Sequence, residues 1–173
     1  MTVVALVGNP RAGSRTHGVA VAAAEAVRAR LGRADPPEVV DLSALTSVVL
    51  SPEPSAGLEI ALELVTSADA LVVVSPTYKA TYTGLLKAFL DRLPGGALRG
   101  KAALPLLVMG DPRHALAVEL HLRPLLLELG AFVPTPGLAV LESRLPDLGD
   151  VIGDWADKVA PQVEAVTRGV VAT

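Results

Sequence analysis

A short polar segment near the start of the chain has the residue types that bind a phosphate group. The segment reads GNPRAGSRT at residues 8–16 and lies between an apolar run and a predicted helix. The unpaired N–H groups at a helix N-terminus and the positive end of its dipole favour an anion. The hydroxyls of Ser14 and Thr16 and the guanidinium of Arg11 or Arg15 would add donors. The segment therefore predicts a phosphate site.

Two common nucleotide motifs do not match this segment. Gly8 and Gly13 have the spacing of a Walker loop, but Ser14 stands where that motif requires lysine, and no GxGxxG is present. A polar turn in which Ser14 or Thr16 caps the following helix is the alternative interpretation. Spacing alone leaves both interpretations open.

Two further segments offer groups that suit a flat aromatic ligand. The first, SPTYKATYTG at residues 75–84, combines backbone donors and hydroxyls with Tyr78 and Tyr82. The second, MGDP at residues 109–112, contains Gly110, which would let a ligand approach the backbone closely. Each tyrosine alone is equally well explained as a packing or interface residue.

The order of the predicted elements brings these segments together. Apolar runs predict strands at 3–7, 38–42, 69–75 and 101–109 and within 132–140, and helical patterns lie at 15–31, 57–67, 83–93, 114–129 and 148–168. This β-α alternation predicts an α/β fold of three layers, with a five-stranded parallel sheet between helices. Five strands favour the order 2-1-3-4-5, in which ligands bind outside the carboxyl ends of strands one, three and four.

Prolines predict irregularities in three of these elements. Pro105 cannot donate to a ladder, so we expect an irregularity within the fourth strand. Pro124 removes a hydrogen bond inside the fourth helix and predicts a kink or a bulge there. Pro134 and Pro136 interrupt the fifth strand.

Composition narrows the class of protein. The chain has 173 residues, of which 51% are hydrophobic and 19% charged, so we expect one globular domain over residues 1–173. A net charge of −3 argues against nucleic acid as a partner. Cysteine is absent, and no apolar stretch is long enough to span a bilayer. No secretory signal is recognised at the start, so we expect a cytoplasmic protein.

The three histidines do not form a metal-binding pattern. His17 lies on a different helix from His114 and His121, and no carboxylate stands at ligand spacing from them. His114 and His121 are almost two helical turns apart, too far to chelate one ion unaided. We therefore expect no metal site.

Three segments together resemble the NAD(P)H-dependent FMN reductases. They are GNPRAGSRT, SPTYKATYTGLLKAFLDRLP and LRGKAALPLLVMGDPRHALAVELHLRPLL, and the resemblance runs from about residue 2 to residue 140. The similarity is greatest to the reductase components of two-component alkanesulfonate monooxygenases, and the middle segment is the most specific. The resemblance implies a flavodoxin-like fold and a single FMN-binding domain.

The resemblance also implies which residues contact FMN. They lie in the three loops: Asn9, Arg11, Ser14, Arg15, Thr16, Pro76, Thr77, Tyr78, Lys79, Gly110 and Asp111. Those of the first loop would hold the phosphate, and those of the second would line the ribityl chain and the flavin ring. Gly110 and Asp111 would lie at the other edge of the ring. Asn9 replaces a serine frequent in the family, and Asp111 replaces the second glycine of a frequent Gly-Gly pair.

The implied reaction is hydride transfer from NADH or NADPH to N5 of FMN. The cofactors carry this chemistry, so no catalytic side chain is required. Reduced FMN would then pass to a flavin-dependent monooxygenase. The alternatives are an FMN-retaining quinone or azo reductase, a flavodoxin-type electron carrier and a homologue without flavin.

The resemblance further implies a homodimer or a homotetramer. The helix that bears Lys87 and Asp91 resembles the dimer-forming segment of the family, although an ordinary surface ion pair explains the two residues equally well. Some of these reductases carry an inserted tyrosine in the fourth helix, which forms a π-helix and retains flavin. Here Leu120 is followed by His121, without a tyrosine. We therefore expect FMN to exchange.

Overall fold

Five parallel strands form one sheet in the computed structural model, which describes residues 1–171. The strands are β1 (Val3–Val7), β2 (Glu38–Asp41), β3 (Ala70–Pro76), β4 (Ala102–Met109) and β5 (Leu138–Leu141). Their order in the sheet is β2-β1-β3-β4-β5, and every neighbouring pair is parallel. The predicted three-layer flavodoxin-like fold and its strand order are confirmed.

Helices cover both faces of this sheet. They are α1 (Arg15–Arg30), α2 (Ala56–Ser67), α3 (Gly84–Leu90), α4 (Arg123–Glu128) and α5 (Leu148–Val171). Shorter helical turns occupy Leu42–Leu45, Pro112–His114, Val118–Leu122 and Glu142–Asp147. None of the helices within residues 1–171 combines the length and the apolar composition needed to cross a bilayer.

The central strands are apolar throughout because both of their faces are covered. Alternate residues of β3 enter different cores: Leu71 and Val73 pack in the layer of α2, α3 and α4, whereas Val72 and Val74 pack in the layer of α1 and α5. A strand buried in this way reads as a continuous apolar run. All residues of β1, β3 and β4 are buried, which is why their positions are predicted closely from sequence.

The bulge predicted at Pro124 is confirmed as a π-helical segment, Val118–Leu122. Pro124 has no N–H for the carbonyl of Leu120, and its ring would clash with that carbonyl in a regular helix. The chain widens instead, and the N–H of Arg123 donates to the carbonyl of Val118. The π-helical segment therefore forms here without an inserted tyrosine, and α4 begins only after it.

The irregularity expected at Pro105 is wrong, because β4 continues through it unbroken. The N–H of Ala103 donates to the carbonyl of Phe132 at 2.8 Å, on the side where β5 lies. The backbone nitrogens of alternate residues in a strand point toward the same neighbouring strand, so the nitrogen of Pro105 also points toward β5. β4 pairs with β5 only from Leu106 onward. The missing N–H of Pro105 thus lies between the hydrogen bond of Ala103 with Phe132 and the ladder with β5 that starts at Leu106, where no partner is required.

A polar network holds the connection that enters β5. The Arg123 guanidinium donates to the carbonyls of Val133 and Pro134, at 2.6 and 3.1 Å, and forms an ion pair with Glu119. Glu119 in turn accepts from the N–H of Gly137 at 2.7 Å. The hydrogen bond from Arg123 lowers the pKa of the Glu119 carboxyl, so the pair stays charged at neutral pH. β5 begins after this connection, at Leu138, inside the predicted range and beyond both prolines.

Candidate functional site

Two of the three predicted loops share one cavity at the carboxyl edge of the sheet. The cavity measures about 270 Å³. It is lined by Asn9, Arg11, Ala12, Ser14, Arg15, Thr16, Pro76, Tyr78 and Glu142. Residues 9–16 follow β1, and Pro76 and Tyr78 belong to the end of β3 and its loop. The topology therefore brings the predicted phosphate segment beside the predicted ring-binding segment.

Local hydrogen bonds shape the phosphate segment. Ser14 caps α1, accepting from the N–H of His17 at 3.2 Å. The buried Asn9 side chain accepts from the N–H of Arg11 and donates to the hydroxyl of Thr16, both at 3.0 Å. Asn9 and Thr16 thus form a frame that holds the loop. Arg11 lies on the exposed side of this frame.

The segment is anchored where β1 ends, at Gly8. The hydroxyl of Thr83 donates to the Gly8 carbonyl at 2.6 Å and accepts from the N–H of Leu86 at 3.2 Å. The N–H of Thr83 donates to the Ser75 hydroxyl at 3.0 Å. A Cβ at Gly8 would lie 2.8 Å from the Cβ of Leu86, so only glycine permits this approach. One buried threonine therefore joins β1, β3 and α3.

The ring-binding segment contains a tight turn in an unusual conformation. The N–H of Tyr78 donates to the Thr81 carbonyl at 2.9 Å, and the two central residues, Lys79 and Ala80, have φ angles of 54° and 67°. Both angles lie in the left-handed region, which normally requires glycine or asparagine in such a turn. The turn supports Tyr78, whose exposed ring lines the cavity.

Thr77 and Lys79 lie outside the lining of this cavity. The Thr77 N–H and hydroxyl both donate to the carbonyl of Val108, at 2.8 and 3.4 Å, which extends the contact of β3 with β4. Lys79 is exposed at the tip of the tight turn.

The third predicted loop does not line the cavity either. Asp111 caps the turn Pro112–His114 by accepting from the N–H of Arg113 at 2.9 Å, and it also pairs with the Arg113 guanidinium at 2.6 Å. The hydrogen bond from Arg113 lowers the pKa of Asp111 to about 2, so this carboxyl is ionised at neutral pH. Gly110 is exposed beside it.

Glu142 also lines the cavity, although the sequence patterns do not predict it as a site residue. It is the first residue after β5, and its carboxylate lies 3.1 Å from the Arg15 guanidinium. Its position after a parallel strand places it at the same edge as the loops. The rule applied to the sequence considered only strands one, three and four at that edge, so it omitted Glu142.

The charges and shape of the cavity favour a phosphorylated ligand with an aromatic part. Arg11, Arg15 and the N-terminus of α1 supply groups that can bind an anion. Tyr78 and Pro76 supply an apolar surface to the same cavity. Within the described residues 1–171, no cluster of three histidines or carboxylates has the arrangement of a metal site.

Comparison with known proteins gives concordant matches. A family model described as NADPH-dependent FMN reductase matches residues 1–144. The NADH-dependent FMN reductase SfnF of Pseudomonas putida is 40% identical over 126 residues, which are 71% of this chain and 68% of that protein. The FMN reductase (NADPH) of Escherichia coli K12 is 35% identical over 154 residues, covering 85% of this chain and 76% of that protein.

A solved structure agrees with these relatives. The apo form of the NADH:FMN oxidoreductase EMOB superposes with a TM-score of 0.76 at 35% sequence identity. The superposition covers 91% of this chain and 89% of that chain.

The anchoring role of Thr83 leads to a stability prediction. Thr83→Val removes the hydroxyl but keeps the shape, leaving the Gly8 carbonyl without its donor and α3 without its cap. We expect the free energy of unfolding to fall by about 2 kcal/mol. Urea denaturation of the flavin-free protein, followed by circular dichroism, measures this change. Thr46→Val, at an exposed threonine in a turn, is the matched control; equal stability of the two variants would contradict the role.

Proposed function

The chain belongs to the NADPH-dependent FMN reductase family, and we propose that the cavity at the carboxyl edge of its sheet binds FMN. The protein is an NAD(P)H:FMN oxidoreductase that uses FMN and a nicotinamide nucleotide. Hydride transfer is the chemistry that these two cofactors supply when bound. The chain supplies binding and orientation. The observation that carries the site assignment is the presence of Arg11, Arg15 and Tyr78 around one cavity.

The phosphate end of the proposed site is built on α1. Arg11 and Arg15 donate charged hydrogen bonds to the phosphate, and Ser14 presents the first turn of the helix to it. Asn9 and Thr16 act mainly by holding the loop, since their side chains bond to each other. This arrangement fits a phosphate ester better than a neutral ligand.

The ring end is built on the segment after β3. Pro76 and Tyr78 offer apolar surface to the flavin. Thr77 and Lys79 lie outside the lining of the cavity and belong to the ring end only as the resemblance to the family implies. Gly110 and Asp111 belong to the far edge of the ring in this proposal. An open ring face would let the nicotinamide stack on the flavin, which aligns the two reacting atoms.

We extend the proposal to the whole chain as one FMN-binding domain over residues 1–173. The two helical layers share a single sheet, which supports one unit rather than two. The cytoplasmic location expected from the sequence stays a prediction, which fractionation of cells that express the chain would test.

A second copy of the chain is the partner that the exposed apolar surface favours. Leu116, Leu120 and Leu127, on the π-helical segment and its flanks, are 67%, 63% and 52% exposed. Three leucines this exposed within twelve residues of the chain favour an interface on this surface. The ion pair of Lys87 with Asp91 at 2.5 Å is a surface contact between α3 and the residue that caps its C-terminus, so it supplies no argument for the dimer. We propose a homodimer or homotetramer that buries the three leucines.

Oxidation of NADH and of NADPH, with and without added FMN, tests the reaction. We expect oxidation by the purified protein to rise and saturate with free FMN, because FMN is exchanged as a substrate. A flavin-dependent monooxygenase would then take up the reduced flavin. Tight FMN binding without oxidation of either nucleotide would indicate an electron carrier instead. Turnover with a quinone but not with free FMN would indicate an FMN-retaining reductase.

Replacing Arg11 tests the phosphate end. Arg11→Ala removes charged hydrogen bonds, so we expect the Kd for FMN to rise about tenfold and the Kd for riboflavin to stay constant. Quenching of flavin fluorescence measures both constants. Arg168→Ala is the control, since Arg168 lines a different cavity together with Met1. An unchanged FMN affinity would remove Arg11 from the site.

Replacing Leu120 tests the proposed interface between copies. Leu120→Glu places a charge in the apolar surface, so we expect the oligomer to dissociate toward the monomer. Light scattering after size-exclusion chromatography measures the mass. Leu50→Glu is the control, at a leucine that is 81% exposed in a loop elsewhere. A native mass for Leu120→Glu would place the interface on another surface.

A further inference from the structure

A carboxylate forms part of a cavity wall that otherwise suits an anion. Glu142 lines the cavity together with Arg11 and Arg15, and these three are the charged residues of the lining. A carboxylate near a bound phosphate weakens binding, since like charges repel. A site selected only for tight phosphate binding would have a neutral residue there.

The contacts of the two arginines differ. The Arg15 guanidinium lies 3.1 Å from a Glu142 carboxylate oxygen, with the two side chains 66% and 41% exposed. An ion pair this exposed is weak and is readily exchanged for another partner. The Arg11 guanidinium forms no ion pair within the part of the chain that the structure describes, residues 1–171. Arg15 therefore has to give up a partner when it turns to a phosphate, whereas Arg11 does not.

We propose that Glu142 competes with the FMN phosphate for Arg15 and so keeps the affinity for FMN low enough for exchange. This inference rests on the proposed binding of FMN in the cavity. A phosphate gains the full benefit of Arg15 only when the pair with Glu142 breaks. The cost of breaking that pair falls on FMN and not on riboflavin, which has no phosphate.

The competition bears on what the enzyme delivers. A reductase that hands reduced flavin to another protein needs a site from which the flavin leaves. Glu142 achieves this without altering the ring-binding segment, because it acts through Arg15 in the phosphate segment. Binding of the ring and retention of the flavin are then set by different residues.

Glu142→Gln is the direct test, because it removes the charge and preserves the size of the side chain. We expect the Kd for FMN to fall about three- to fivefold and the dissociation of FMN to slow accordingly. The Kd for riboflavin should stay within about twofold. Fluorescence titration of both flavins at one ionic strength, and stopped-flow displacement of FMN, give these values.

Asp147→Asn is the matched control. It makes the same change of charge in the same helical turn, but Asp147 pairs with Arg144 at 3.3 Å and does not line the cavity. We expect it to leave the affinity for FMN unchanged. Equal tightening by Asp147→Asn would overturn the proposal, because net charge alone would then account for the effect.

A double-mutant cycle with Arg15→Ala tests the competition itself. Without Arg15 the competition is removed and only the direct repulsion between the Glu142 carboxylate and the phosphate remains, so Glu142→Gln should tighten FMN binding clearly less than in the native background. Equal tightening in the Arg15→Ala background, unchanged or weaker FMN binding by Glu142→Gln alone, or equal tightening of riboflavin would each contradict the proposal. Failure of the proposed function looks different, since the native protein would then bind neither flavin.

Discussion

The hydrogen bond from the Thr83 hydroxyl to the Gly8 carbonyl is the contact on which the site depends. It is buried and 2.6 Å long, and it joins Gly8, the residue after β1, to Thr83, the residue that caps the start of α3. Leu86 packs directly against Gly8, so the two segments meet at backbone distance. The phosphate segment leaves from Gly8 and the ring-binding segment arrives at Thr83. This contact adds to the pairing of β1 with β3, in which the N–H of Gly8 donates to the carbonyl of Val74 at 2.7 Å, and together they set the separation of the two segments.

Around this contact the site divides into fixed and adaptable groups. Asn9 and Thr16 are buried and bonded to each other, so they form the fixed part of the cavity wall. Arg11, Arg15 and Tyr78 are exposed, and of these three Arg15 pairs with Glu142. In the proposed site the frame would therefore set where a phosphate binds, and the exposed side chains would set how strongly it is held. This division allows affinity to change without disturbing the fold.

Sequence patterns predict the central strands well because burial on both faces determines which residues they contain. β1, β3 and β4 are covered on both faces, so their apolar runs identify them and their order fixes the functional edge. The polar segment after β1 contributes six of the residues that line the cavity. Glu142 and the anchoring role of Thr83 are not predicted in this way. Their partners, Arg15 and Gly8, lie far away in the sequence, and only the folded sheet brings them together.

The prolines show why local rules reach a limit. Pro124 and Pro105 both lack an N–H, yet the first changes its helix and the second leaves its strand regular. A helix needs that N–H for its own carbonyl four residues earlier, so the consequence is local and predictable. A strand needs the N–H only where a neighbouring strand offers a carbonyl on that side, and β5 pairs with β4 only from Leu106 onward. The turn at Lys79 and Ala80 is a similar case. Neither residue favours a left-handed φ, and the hydrogen bond between Tyr78 and Thr81 closes the turn in spite of this. The residue type thus determines which hydrogen bond is missing or which conformation is disfavoured, and the tertiary contacts determine whether the local structure changes as a result.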